Sequence, residues 1–116
     1  PLVYEPFHPN TVLAHIFKRQ LKLLKVKNEQ GSETERIGSS DVGNVGQVIP
    51  TIHPSIKICD NAFCHTIDFA KAALAPRGFQ GMIQAASALA LTGYELFSNP
   101  EHLKKMKIEF RQRKRR

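Results

Sequence analysis

The chain has 116 residues, 41% of them hydrophobic and seven of them Phe, which suits one domain with a modest core. Its two cysteines are too few for a secreted disulfide scaffold, and no apolar run reaches the eighteen or so residues that cross a bilayer. The formal charge is +7, yet eight of the 17 basic residues fall within positions 104–116, so the excess belongs to one end and argues against nucleic acid as the main partner.

The start, Pro1-Leu2-Val3-Tyr4, lacks the basic and apolar regions of a signal peptide, so a soluble cytoplasmic protein is expected. Because the first residue is Pro and a strand-like run ending at Val3 and Tyr4 opens the chain, the sequence reads as a fragment of something larger. Pro6 and Pro9 then break the backbone, and Asn10 offers a cap for a helix. Leu13, Ile16, Phe17, Leu21 and Leu24 recur at helical spacing as the core side of that helix, with Lys18, Arg19, Lys22 and Lys25 as its wet side. From position 26 to 40 the composition turns polar and glycine-bearing, as in a surface loop.

A glycine-rich loop, Gly38-Ser39-Ser40-Asp41-Val42-Gly43-Asn44-Val45-Gly46, comes next. Its amides could face an anion and its acid could orient a ligand, although a tight turn closed by an Asx hydrogen bond explains the same residues. It carries neither the lysine of a phosphate loop nor the spacing of a dinucleotide fingerprint. Val48-Ile49-Pro50-Thr51-Ile52 and Ile56-Lys57-Ile58-Cys59 read as two short strands separated by a turn at His53-Pro54. His53 would stand at a strand end, as a turn residue or a ligand contact.

Ala62-Phe63-Cys64-His65-Thr66 leads into a short helix from Ile67 to about Leu74, which Pro76, Arg77 and Gly78 interrupt. Cys59, Cys64 and His65 do not make a zinc knuckle, because a fourth ligand at knuckle spacing is missing. From Phe79 a long helix sets Ile83, Ala86, Leu89, Ala90, Tyr94 and Phe97 on one face, which reads as buried, with alanines elsewhere admitting a close neighbour. Asn99 caps, and Pro100 begins, a final amphipathic helix through Leu103, Met106 and Phe110. Strands feeding helices through glycine and histidine loops predict an α/β fold, short central strands covered by helices, with ligands gathered at the strand ends.

Three stretches taken together resemble the closing third of a known family: Ser39-Ser40-Asp41-Val42-Gly43-Asn44-Val45, Val48-Ile49-Pro50-Thr51-Ile52-His53-Pro54 and His65-Thr66-Ile67-Asp68-Phe69. The family is that of the dinuclear zinc amidohydrolases and peptidases, which includes aminoacylase, glutamate carboxypeptidase and aminobenzoyl-glutamate hydrolase, and the likeness is nearest to its aminoacylase-like dipeptidases. The resemblance spans nearly the whole chain and implies the carboxyl-terminal segment of a catalytic domain over 1–116, with 1–8 as the end of a lid domain.

It further implies two zinc ions sharing a water that attacks an amide carbonyl, with a glutamate as general base. His65 falls on the family's last metal ligand, with Thr66 and Asp68 as supporting or helix-capping groups that fix the imidazole. Ser40, Asp41, Gly43 and His53 fall at the substrate pocket. No catalytic residue falls within this chain, so cleavage of a dipeptide or N-acyl amino acid is expected of a complete homodimer closed through the lid domain, not of these residues alone. Gly46 stands where the dipeptidases usually carry Ser, and Asp68 where they carry Glu. The competing reading is a basic module that holds nucleic acid or an anionic surface through the Lys/Arg cluster at 104–116.

Overall fold

The computed structural model describes residues 3–27 and 40–113. Most of the polar loop expected at 26–40, with Gly38, Ser39 and the last three basic residues, lies outside them. Five helices follow one another: α1 (Thr11–Leu23), α2 (Val42–Val48), α3 (Ile67–Ala73), α4 (Pro76–Ser98) and α5 (Pro100–Arg113).

α1 forms where its periodicity places it, because its start is satisfied twice over. Asn10 Oδ1 accepts the Leu13 amide at 2.9 Å, the expected cap, while Asn10 Nδ2 donates to the Met106 carbonyl on α5 at 3.1 Å. Glu109, also on α5, accepts the Thr11 amide at 2.7 Å, the Thr11 hydroxyl at 2.8 Å and the Val12 amide at 3.0 Å. These are amides that the first turn leaves without intrahelical partners, and a negative charge is favourable at that end. At the other end Leu24 is the C-cap and Lys25 adopts φ 55°. Val26 N–H then bonds the Leu21 carbonyl at 2.9 Å, and Lys25 N–H bonds that of Lys22 at 3.1 Å. That is a Schellman closure with lysine where glycine is usual.

Phe17 and Leu21 of α1 meet Ala88 of α4 in a small core, against which Leu24, Val26, Ile52 and Ile56 pack, and Ile16 of α1 and Met106 of α5 are buried as well. Helices α1, α4 and α5 pack pairwise, and α3 rests on α4. Glu95 of α4 ties the three main helices together: its Oε1 is 2.9 Å from Arg19 Nη2 and 3.0 Å from His102 Nδ1, and its Oε2 accepts from Gln20 Nε2 at 3.3 Å.

The α/β expectation is overturned, since the described residues contain helices and no strand. Val42–Val48, its first five residues expected as a loop and its last as the start of a strand, is helix α2. Residues 49–59 form neither helix nor strand, for a ladder needs a second strand and two prolines, Pro50 and Pro54, remove donors. The run is instead held by side contacts: Asn10 N–H bonds the Thr51 carbonyl at 2.9 Å, and Ile56 and Ile58 cross α4 at Gly81. A Cβ on Gly81 would come within 2.7 Å of Ile58 Cγ2, so the crossing needs glycine. The strand expected at Val3 and Tyr4 is likewise absent. There, Asn44 Nδ2 donates to the Val3 carbonyl at 3.0 Å and Gln47 Nε2 to that of Pro6 at 2.9 Å, so side-chain amides of α2 take the place of a neighbouring strand.

A second correction concerns α4. Pro76 does not interrupt a helix but opens one, at the first helical position where its missing N–H costs nothing. The buried side of α4 is its small-residue side, Gly78, Gly81, Ala88 and Thr92, with the α3 backbone close at Gly78 and the Ile56 and Ile58 side chains at Gly81. The large apolar side expected to be core points outward: Phe97 is 90% exposed, Tyr94 70% and Ile83 61%.

Candidate functional site

The residues implied as a site lie on three separate segments. Ser40 and Asp41 form the turn that starts α2, where the Ser40 hydroxyl, not the Asp41 carboxylate, accepts the Val42 amide at 3.3 Å. Asp41 stays exposed and makes no capping bond. Gly43 is buried against the Glu5 backbone, with no room for a Cβ. His53 is exposed midway along the run at 49–59.

His65 is exposed too, directly before α3, and has φ 67°. Left-handed backbone at a residue other than glycine is uncommon, and histidine tolerates it better than most. The conformation is fixed from the next position: Thr66 is the N-cap of α3, its hydroxyl donating to the Phe63 carbonyl at 2.7 Å and accepting the Phe69 amide at 3.2 Å. Asp68 lies 3.9 Å from Lys71 in solvent. Thr66 therefore has the capping role expected of it, and Asp68 points to its own helix.

Among the described residues no hydrogen bond or ion pair links the Ser40–Gly43 turn, His53 and His65. Nor do any three His, Cys, Asp or Glu side chains converge as a metal site there. Zinc takes four ligands in a structural site and three protein ligands in a catalytic one, so one exposed imidazole does not fit zinc by itself. Cys59 and Cys64 are both free.

Two charged groups carry perturbed acidities. Asp60 is held below the usual carboxylate range, first by the Arg77 guanidinium, whose two nitrogens bond it at 2.7 and 3.3 Å, and then by Lys57. This pair fastens the run at 49–59 to the start of α4. For Glu109, burial pushes the pKa upward, but the hydrogen bonds from Val12 and Thr11 together with the nearby His15 outweigh it, and the group ends below its ordinary value.

The basic end is partly structural. Arg113 donates to the His8 carbonyl at 2.8 Å and to that of Gly46 at 3.2 Å, clamping α5 to the opening segment and α2. Nor is the charge excess confined to that end. A groove between α1 and α5 collects Lys18, Lys22, Lys25, Lys27 and Lys105 around one concavity of about 860 Å³. The sequence marked three of these lysines as the wet side of a helix but gave no sign that Lys105 would face them.

Compared with known proteins, the chain is 36% identical over 74 residues, 64% of its length, to the Xaa-Arg dipeptidase of Homo sapiens. It is 30% identical over 105 residues, 89% of its length, to the Xaa-Arg dipeptidase of Mus musculus. Both relatives are dipeptidases. The chain spans 17% and 24% of their respective lengths. No family model matches the chain, and no solved structure does. The similarity is thus to dipeptidases in general terms. No described helix is long and apolar enough to cross a membrane.

Proposed function

We propose that the chain is the carboxyl-terminal part of the catalytic domain of a metal-dependent dipeptidase or N-acyl amino acid hydrolase. In this reading His65 is one ligand of a zinc pair, Ser40, Asp41, Gly43 and His53 border the substrate, and the complete enzyme is a cytoplasmic homodimer closed through a lid domain. The observation that carries the reading is the similarity to two Xaa-Arg dipeptidases across as much as 89% of the chain.

Two structural facts support it. Helix α4 carries an exposed apolar face through Phe79, Ile83, Tyr94 and Phe97, in a stretch with no charge from 78 to 94. A monomer rarely leaves such a face in water. The run at 49–59, outside any helix and paired with no strand, carries the β-rich residues suited to a strand partner. Both features fit a segment that completes a larger domain. Because one imidazole does not make a metal site, no catalytic step is assigned to this chain's own residues.

A chimera tests the proposal: the matching carboxyl-terminal segment of the Mus musculus dipeptidase is replaced by this chain. Retained metal by elemental analysis, with hydrolysis of dipeptides ending in arginine, is the expected result, and His65→Ala should lower both, activity by roughly 100-fold. The chain alone should do neither. Full metal occupancy in the His65→Ala chimera, or turnover by the isolated chain at the chimera's rate, overturns the assignment.

A further inference from the structure

We propose that the groove between α1 and α5 is a binding site for an organic polyphosphate of nucleotide size. Three segments build it: α1 contributes Lys18 and Lys22, the Schellman turn after it Lys25 and Lys27, and α5 Lys105. None of these five lysines faces a carboxylate at ion-pair distance among the described residues, whereas Arg19 in the same wall is already matched by Glu95. The positive charge of the lysines is therefore available to a ligand. His15 and His102 line the same wall.

Charge count selects the class of ligand. A single carboxylate or phosphate would leave most of five ammonium groups unbalanced, while a chain of three phosphates answers them. Lys18 and Lys22 stand one turn apart on α1, roughly 6 Å along its axis, and Lys25 follows in the turn that closes the helix, so a chain of phosphates meets them in succession. The floor is apolar, formed by Val12, Ile16 and Val26, and gives a flat organic ring a place beside the phosphates. The volume, about 860 Å³, lies within the range of small-molecule sites. A duplex or an anionic bilayer would press on a convex or planar surface, and the concavity offers neither an aromatic platform for bases nor an apolar anchor outside its floor.

Lys25 adds a backbone argument. Its left-handed φ of 55° occupies a position where glycine fits without strain, yet the residue brings an ammonium to the groove. Strain retained at a position that faces a ligand is what a site selected for charge over stability would show.

Calorimetric titration of the full chain with ATP tests the proposal at low and moderate salt. One ATP should bind with a Kd on the order of 10–100 µM at about 50 mM salt and weaken steeply by about 200 mM, since phosphate contacts displace counterions. Lys22→Glu with Lys105→Glu should weaken binding by about tenfold or more. Lys104→Glu with Lys107→Glu, which changes the net charge equally at another part of α5, should alter it by less than about twofold. Circular dichroism confirms that each pair remains folded, and all four side chains are exposed. Inorganic tripolyphosphate should bind more weakly than ATP, because it leaves the apolar floor uncovered. The proposal fails if ATP does not saturate, if both double variants lose binding alike, if tripolyphosphate matches ATP, or if only duplex DNA or phosphatidylserine vesicles are retained.

Discussion

Replacing Glu109 with Gln removes one charge and almost no volume, so it isolates what the carboxylate does at the start of α1. Its two oxygens accept from the Thr11 amide, the Thr11 hydroxyl and the Val12 amide, at 2.7, 2.8 and 3.0 Å. The glutamine keeps one oxygen acceptor and turns an NH₂ group toward a backbone donor. The loss is then about one charge-assisted hydrogen bond, roughly 1.5–3 kcal/mol where dry, plus roughly 0.3–1 kcal/mol from the helix dipole. Thr11 is exposed, so water recovers part of this, and a net destabilisation of about 1–2 kcal/mol is expected. Such a loss corresponds to a Tm lower by about 5–10 °C in a domain of this size.

The pH dependence provides a second and sharper readout. The folded chain holds Glu109 below its ordinary value of 4.5, so the carboxylate's contribution is fully present above that value and disappears as pH falls through the lower folded value. Urea unfolding should therefore show wild type ahead of the variant at about pH 7 and the two converging near pH 3. A gap that persists unchanged at the acid end, or no gap at neutrality, refutes the capping role.

Lys25→Gly should raise stability by about 1 kcal/mol, because the Schellman position demands a left-handed residue, and should weaken ATP binding in the same protein; urea midpoints and calorimetry report the two effects. Gly43→Ala sets a methyl group on the Glu5 carbonyl, backbone against backbone, and should cost about 1–3 kcal/mol by overpacking while exposing residues 3–7 to limited proteolysis. An alanine variant as stable and as protease-resistant as the parent would show that the opening segment does not rest on α2.

Much of the helical plan was legible because it rests on local chemistry. Asn10 before a 3.6-residue apolar stripe, Thr66 before Ile67, and Asn99-Pro100 before the last helix each became a start signal in place, since a cap acts on amides only two or three residues away. The candidate site was legible only as a resemblance. His65, Asp41 and His53 are far apart in sequence and on separate segments, and no residue pattern could state whether they meet.

What the sequence determined by itself was therefore where helices begin and which residues of α1 face inward: Ile16, Phe17 and Leu21. What only the tertiary structure decided was pairing. β-rich runs such as 49–59 become strands when another strand offers its backbone, and here they meet Asn10 and Gly81 instead. Helix α4 has two faces that could go inside, a large apolar one and a small-residue one, and packing buried the small one at Gly78, Gly81, Ala88 and Thr92. Glu109 and Lys105 obtained their roles from α1, the one about a hundred and the other about eighty residues away, because folding sets α5 beside it. Sequence patterns report the groups a residue meets along the chain, and these partners are met only across space.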